Sequence, residues 1–324
     1  MGFRTCKGGF FMTQPKICVA GVGAIGTLLA AMLGKKYSES LSVIARGKRA
    51  ESFRERGLVL HSDFYGEVVS RPSKVAADGT ELGIQDYILV CVKNYSLGDI
   101  AEKIAPCIGP DTVILPVMNG IEPGDRLRKC FPKAKVLDSV IYTITGAQED
   151  YSAKQSGTYT YMFLGTKDKS SEASAAAHNL YDIFKSVDFD CRFAEDIEAE
   201  IWRKYILNCA FNTITARYKT SIGPIREDKE KLKDIRGLFE EAYAVSKAKG
   251  IKLPENLIEK QFTFMTTKQS LKATSSMERD VSAGRPTELD AFLGSLIRTA
   301  KEYNVEVPVC TRYYNELKEI CVKP

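Results

Sequence analysis

The sequence predicts an α/β fold: a doubly wound parallel sheet followed by an all-α C-terminal domain. Up to about residue 193, short β-branched runs alternate with helical stretches, as in a sheet covered by helices on both faces. From Asp196 onward nearly all of the chain has helical periodicity, broken by glycine and proline clusters. The domains expected are a disordered extension at 1–14, an α/β domain at 15–193 and a helical domain at 194–324.

Each strand is predicted from a short apolar run bounded by turn residues, and each helix from a longer periodic stretch. The strands expected are 17–20, 41–45, 87–92, 113–116 and 136–143, an antiparallel segment at 158–164 and a last strand at 189–193. The helices expected are an Ala-rich surface helix at 171–184 and then 196–218, 229–249, 255–270, 275–283 and 287–303.

Composition excludes several classes of partner. The surplus of 46 basic over 41 acidic residues is scattered along 324 residues, which argues against nucleic acid as a partner. The nine cysteines form no Cys-x-x-Cys pair and are expected to be reduced core residues of a cytoplasmic protein. His61 and His178 stand alone, so no metal site is expected. No apolar run is long enough for a membrane span.

The N-terminus lacks the apolar stretch of a signal peptide, and translation starts at Met1 or at Met12. The sequence leaves open whether the protein is a monomer or a homodimer.

A strand that runs into three glycines indicates a phosphate-binding turn. The run reads Lys-Ile-Cys-Val-Ala-Gly-Val-Gly-Ala-Ile-Gly. Gly21 permits the tight turn, Gly23 lets the backbone approach a phosphate, and Gly26 packs helix on strand. The N–H groups at the helix start, of Ala24 and Ile25, would bind the pyrophosphate of a dinucleotide. The alternative is a glycine-rich turn that serves only close helix packing.

The end of the second strand predicts NADP rather than NAD. An NAD enzyme usually has a carboxylate there for the ribose 2′-hydroxyl, but this chain has Arg46. A guanidinium offers the 2′-phosphate of NADP a planar fork of donors and a permanent positive charge. Lys48 and Arg49, just beyond, are more simply explained as part of a solvated loop.

The helix expected at 196–218 has a polar stripe on a mostly apolar surface. Lys204, Asn208 and Asn212 recur at intervals of four, with Thr215 near their line, over roughly 12 Å. Such a stripe faces a ligand, or else the lysine reaches solvent and the asparagines bind loop carbonyls. Spacing alone leaves both alternatives open.

Further candidates lie at element ends. A capping box from Ser275 to Glu278 leaves Ser276 in a first helical turn, near free N–H groups. A second cap pattern opens at Thr287, for which a structural role is expected. Lys93 and Asn119 follow two strands, at the edge of the sheet where doubly wound folds bind ligands.

Together these motifs resemble the ketopantoate reductase family, in order from Lys16 to about residue 320. The specific one is Trp-x-Lys-x-x-x-Asn-x-x-x-Asn at Trp202 to Asn212. The resemblance implies a Rossmann-type domain, a helical domain and a substrate cleft between them. It also implies reduction of a small 2-oxo acid, 2-dehydropantoate, by NADPH in pantothenate and coenzyme A synthesis.

The resemblance also implies roles for single residues. Lys204 would protonate the alkoxide, assisted by Glu288, and its pKa should be lowered from about 10.4 towards roughly 7 to 8 by partial burial. The cofactor side would comprise Gly21, Gly23, Ala24, Ile25, Gly26, Arg46, Lys93 and Asn119. The substrate side would comprise Asn208 and Asn212 at its hydroxyls, Ser276 at its carboxylate, Asn119, and more weakly Asp280.

One departure from the family is Glu122, shortly after Asn119, because a negative charge near a carboxylate substrate is unfavourable. Glu122 must point away or signal another substrate. Two other functions remain open: an NADP-dependent reductase of a different 2-oxo acid or imine, and a non-catalytic NADP-sensing module.

Overall fold

A computed structural model describes residues 14–322. The predicted disordered extension, except for its last residue, and both alternative start methionines lie outside the described residues.

The elements alternate between strands and helices up to residue 193 and are helical thereafter. The strands are β1 (Ile17–Ala20), β2 (Leu41–Ile44), β3 (Leu58–Ser62), β4 (Gly66–Ser70), β5 (Lys74–Ala76), β6 (Tyr87–Val90), β7 (Val113–Pro116), β8 (Lys135–Val136), β9 (Asp138–Ala147), β10 (Ala153–Gly165) and β11 (Cys191–Phe193). The helices are α1 (Ala24–Tyr37), α2 (Gly47–Arg56), α3 (Leu97–Ile104), α4 (Pro123–Cys130), α5 (Ser171–Lys185), α6 (Ile197–Tyr218), α7 (Ile222–Arg226), α8 (Lys229–Ala248), α9 (Leu257–Thr263), α10 (Ser276–Ser282), α11 (Ser295–Glu302) and α12 (Pro308–Val322). Wider π-type turns extend α9 at Phe264–Lys268 and precede α11 at Asp290–Gly294.

The first sheet is parallel and doubly wound, as predicted. Its strand order is β5-β2-β1-β6-β7-β8, and β1 pairs in parallel with both β2 and β6. The chain therefore winds outward on one side of β1 and then returns to build the other side. The change of direction lies between β1 and β6, and a crevice opens at their carboxyl ends. Gly21 and Lys93 follow these two strands.

A second sheet was not predicted as such. Strand β10 pairs antiparallel with β9, and in parallel with β3 near its start and with β11 near its end, while β4 forms a hairpin with β3. Helix α1 lies between the two sheets, so its residues from Gly26 to Gly34 are all buried. A helix covered on opposite sides needs no polar face, which explains the small or apolar residues from Gly26 to Gly34, and charged side chains appear only in its last turn.

Several element predictions were wrong or incomplete. The predicted strand 136–143 is two strands, because β8 ends the first sheet at Val136 and β9 starts the second at Asp138. The prediction missed strands β3, β4 and β5 and helices α2, α3, α4, α7 and α12. The alternating burial of β3 and the positive φ of Gly66, the first residue of β4, are ordinary hairpin features. The antiparallel segment expected at 158–164 is confirmed within β10.

The helical region is built around α6. Trp202, Tyr205 and Ile206 of this helix are at most 2% exposed and lie in one core with residues of α8, α11 and α12. The cysteines of the described residues are all free, and only Cys130 and Cys321 among them are exposed, as expected of reduced core residues. Among residues 14–322, no helix combines the length and apolarity that a membrane crossing requires.

The glycine turn gives a test of packing. A Cβ on Gly26 would lie 2.2 Å from the carbonyl oxygen of Gly21, whereas a Cβ on Gly23 would meet nothing within 4 Å. We therefore expect Gly26→Ala to lower the free energy of unfolding by about 2 kcal/mol or more. Gly23→Ala, the matched control, should cost less than about 1 kcal/mol, since Gly23 only precedes the helix. Equal losses in urea unfolding would contradict this account of the turn.

Candidate active site

The turn after β1 has the geometry of an anion site. Gly21 has a φ of +95°, and a Cβ there would lie 2.4 Å from Cγ1 of Val92, so the tight turn requires glycine. Helix α1 starts with no side-chain cap and no acidic residue in its first turn. The N–H groups of Ala24 and Ile25 thus have no partner within the helix and face the open space beside Gly23.

Arg46 lies at the carboxyl end of β2, which is the neighbour of β1 in the sheet. Its side chain is exposed and makes no hydrogen bond or ion pair with the described residues. Lys48 and Arg49 lie in the first turn of α2, so the solvated loop expected for them was wrong. Lys48 is exposed, and the Arg49 guanidinium lies 5.4 Å from the ring centre of Tyr151. Arg46 is therefore available to an anion held at the adjacent glycine turn.

A buried polar cluster joins the sheet edge to the helical region. The Lys93 ammonium lies 3.0 Å from Oε2 of Glu288 and 3.2 Å from Oδ2 of Asp280. Burial lowers the pKa of Lys93, but the two carboxylates outweigh burial and leave the pKa above its usual value. Asp280 also accepts from Nε of Arg285 at 3.0 Å. Glu288 is only 5% exposed, so its charge depends on these partners.

Asn94 completes this cluster, and the sequence analysis missed it. Its backbone N–H and its Nδ2 donate to Oε1 of Glu288 at 3.0 and 2.9 Å, and Nδ2 also donates to the carbonyl of Asn119 at 2.8 Å. The available signal was its position: a polar residue directly after Lys93, at the carboxyl edge of the sheet.

Lys204 reaches from α6 to the same edge. Its Nζ donates to Oδ1 of Asn119 at 3.1 Å and to the carbonyl of Ile141 at 2.5 Å, and it lies 5.5 Å from the ring centre of Tyr142. Burial lowers the pKa of Lys204 to about 8, against the opposing effect of the Glu288 charge. The expected lowering of the pKa is thus confirmed. Glu288 acts on Lys204 through its charge, while its hydrogen bonds go to Lys93 and Asn94.

The polar stripe of α6 divides into two kinds of residue. Asn212 is buried and fully engaged: its Oδ1 accepts from the Ser276 hydroxyl and from the N–H of Met277, both at 3.2 Å, and its Nδ2 donates to the Asn208 carbonyl. Asn212 therefore ties α10 to α6. The side chain of Asn208 is half-buried and has no hydrogen-bond partner among residues 14–322. Its amide is the part of the stripe that is open to a ligand.

The helix caps at Ser275 and Thr287 differ in part from those predicted. Ser275 caps α10 by accepting from the N–H of Glu278, as predicted, but the Glu278 side chain accepts from Ser282 instead of returning to Ser275. The cap pattern expected at Thr287 does not form, since its hydroxyl lies 3.5 Å from the Cys321 sulfur and Glu288 turns to the sheet edge.

Glu122 is held by an arginine of α11. Its carboxylate pairs with the Arg298 guanidinium, at 3.2 Å from Nε and 3.0 Å from Nη2, and Arg298 also pairs with Asp290. This pairing compensates the charge of Glu122, which lines a cavity together with Asn94 and Glu288. Neither histidine takes part: His61 pairs with Glu67, and His178 stacks on the Phe193 ring at 4.0 Å.

A glycine turn at the switch point of a doubly wound sheet, faced by a buried lysine from a helical region, is the arrangement of an NAD(P)-dependent oxidoreductase. Comparison with known proteins specifies the family. Residues 17–169 match the family described as "Ketopantoate reductase PanE/ApbA", and residues 196–320 match "Ketopantoate reductase PanE/ApbA C terminal". The chain belongs to the ketopantoate reductase family.

The individual relatives described next each share less than 30% sequence identity with this chain. The chain is 29% identical to an uncharacterized oxidoreductase, YkpB, of Bacillus subtilis over 94% of this chain and 98% of the relative. It is 28% identical to a 2-dehydropantoate 2-reductase of Mesorhizobium japonicum over 87% of this chain and 90% of the relative. A D-mandelate dehydrogenase solved with NADH and anilino(oxo)acetate has the same fold, with a TM-score of 0.83 and 22% identity over 94% of this chain and 97% of that one.

The lowered pKa of Lys204 should make the free energy of unfolding depend on pH. Its pKa of about 8 lies below the ordinary value of 10.5 that applies to the unfolded chain. Between these pH values the unfolded chain binds more protons, so the free energy of unfolding rises with pH. We expect wild type to gain stability relative to Lys204→Met from pH 8 to 10.5 in urea unfolding. Lys252→Met, at an exposed lysine, is the control and should show no such trend.

Proposed function

We propose that this protein reduces the ketone of 2-dehydropantoate to the alcohol of pantoate with NADPH, as a step of pantothenate and coenzyme A synthesis in the cytoplasm. Bound NADPH would supply a hydride to the ketone carbon. Residues 15–193 would hold the nucleotide, and 194–324 would complete the substrate site. The observation that carries the proposal is Lys204, an ammonium held at the sheet edge with a pKa of about 8.

Lys204 would donate the proton that the reduced carbonyl oxygen needs. A donor with a pKa near 8 is mostly protonated at neutral pH yet gives up its proton more readily than an ordinary lysine. The Asn119 amide and the Ile141 carbonyl orient the ammonium. The nearby charge of Glu288 keeps the ammonium protonated in a buried place and would favour its reprotonation after each turnover.

The other candidate residues would bind rather than react. The free amide of Asn208 would bind a substrate hydroxyl, and Ser276, held by Asn212, would bind the carboxylate. Lys93 and Asn119 would lie where nicotinamide and substrate meet. The glycine turn with Ala24 and Ile25 would bind the pyrophosphate, and Arg46 the 2′-phosphate.

A reductase of a different 2-oxo acid or imine is the second candidate. It is favoured by the low identity to named reductases and by the shared fold of the D-mandelate dehydrogenase solved with NADH, since one fold can serve several substrates and either nucleotide. NADPH oxidation should be measured with 2-dehydropantoate, pyruvate, 2-oxoisovalerate and benzoylformate. A kcat/KM for 2-dehydropantoate no better than for the others would favour the second candidate.

Replacing Lys204 separates a reductase from a module that only senses NADP. We expect Lys204→Ala to lower kcat by about 10²-fold or more, the usual scale for a lost general acid, with little change in the Kd of NADPH. Lys252→Ala, on the surface, should change neither value. If the purified protein binds NADPH but reduces no 2-oxo acid or imine, and Lys204→Ala leaves binding unaltered, the sensing module is the better explanation.

Replacing Arg46 tests the choice of nucleotide. Arg46→Glu should reverse a preference for NADPH over NADH, because a carboxylate repels the 2′-phosphate and accepts from a ribose hydroxyl. Lys48→Glu makes the same charge change at an exposed position two residues away and should have a much smaller effect. Should discrimination survive in Arg46→Glu, another group recognises the phosphate.

A further inference from the structure

Asn94 contacts Glu288 and Asn119, two of the groups that act on the Lys204 ammonium, but it forms no hydrogen bond with Lys204. It follows β6 and is only 5% exposed. Two of its N–H groups converge on Oε1 of Glu288, and its side-chain amide also donates to the carbonyl of Asn119. Its own carbonyl accepts from Nη1 of Arg126 at 3.2 Å. One buried side chain thus connects the β6 end, the loop after β7 and the segment before α11.

We propose that Asn94 is a positioning residue that holds the Glu288 carboxylate and the Asn119 amide in place around Lys204. The inference rests on the proposed function only for the role of Lys204 as proton donor. Lys93 fixes Oε2 of Glu288, and Asn94 fixes Oε1, so both carboxylate oxygens are directed by the sheet edge. Fixed donors of this kind hold a buried carboxylate in one orientation.

Without the Asn94 side chain, the Glu288 carboxylate could pair with another guanidinium. Asn94 and Glu288 line a cavity of about 290 Å³ that Arg126 and Arg298 also line. Arg298 is already paired with Glu122 and Asp290, but Arg126 has no carboxylate partner among the described residues. Without the Asn94 amide, Glu288 can rotate towards the Arg126 guanidinium, and its charge then moves away from Lys204.

The pKa of Lys204 should report this movement of the Glu288 carboxylate. Asn119 and the Ile141 carbonyl contribute neutral polar atoms and Tyr142 contributes an aromatic ring, so Glu288 is the charged group that acts on the ammonium. Lys93 and Asp280 lie beyond Glu288 and pair with each other. Moving the Glu288 charge away should therefore leave the pKa of Lys204 lower than in wild type.

The experiment is a ¹³C NMR titration of the full chain with [ε-¹³C]lysine, in which the Lys204 signal is identified by its loss in Lys204→Arg. Asn94→Leu has a similar volume and removes the side-chain donor while leaving the backbone N–H that also binds Glu288. We expect the Lys204 midpoint to fall by roughly one pH unit from its wild-type value. The alkaline limb of kcat against pH should move by the same amount, and kcat should fall about tenfold or more with little change in the Kd of NADPH.

Controls separate positioning from general damage. Asn256→Leu alters an exposed asparagine whose side chain caps no helix, and it should leave the midpoint unchanged. If Asn94→Leu does not fold, Asn94→Ala replaces it. An unshifted midpoint in a folded Asn94 variant overturns the proposal even if kcat falls. The titration needs no substrate, so a protein that reduces no 2-oxo acid refutes the proposed function while the midpoint still decides the role of Asn94.

Discussion

The structure of the site depends on one unfavourable interaction, the burial of a lysine ammonium. Lys204 keeps its charge at neutral pH only because Asn119, the Ile141 carbonyl and the field of Glu288 replace part of its lost hydration. These groups come from the loop after β7, from β9 and from the segment before α11. The ammonium can therefore be held only when the two sheets and the helical region are packed together.

The cost of burying charge also explains why the cluster around Glu288 is densely hydrogen-bonded. A buried carboxylate such as Glu288 would be costly without partners, and it receives donors from Lys93 and Asn94. The Lys93 ammonium is in turn shared with Asp280, which also binds Arg285. Side chains of opposite charge alternate through this series, and the Lys204 ammonium lies at its edge with the least compensation.

Much of this could be predicted from local sequence, and the failures have physical causes. The glycine turn, the alternation of strands and helices up to residue 193 and the polar stripe on the mostly apolar helix α6 follow from residue periodicity and glycine geometry, which act over a few residues. The burial of α1 on opposite sides could not be predicted from local sequence, because β3, β4, β9 and β10 come from distant parts of the chain. Likewise, spacing placed Asn208 and Asn212 on one stripe but could not tell that only Asn212 meets Ser276.

The residue pattern alone predicts the glycine turn after β1 and the alignment of Lys204, Asn208 and Asn212, because both are set by local backbone geometry and the helical repeat. The order of the strands in each sheet and the pairing of charges depend on the folded molecule. Glu288 binds Lys93 and Asn94 across more than 190 residues, and Glu122 is turned to Arg298. Electrostatic and desolvation effects depend on distance and burial in the folded molecule, which residue spacing along the chain does not encode.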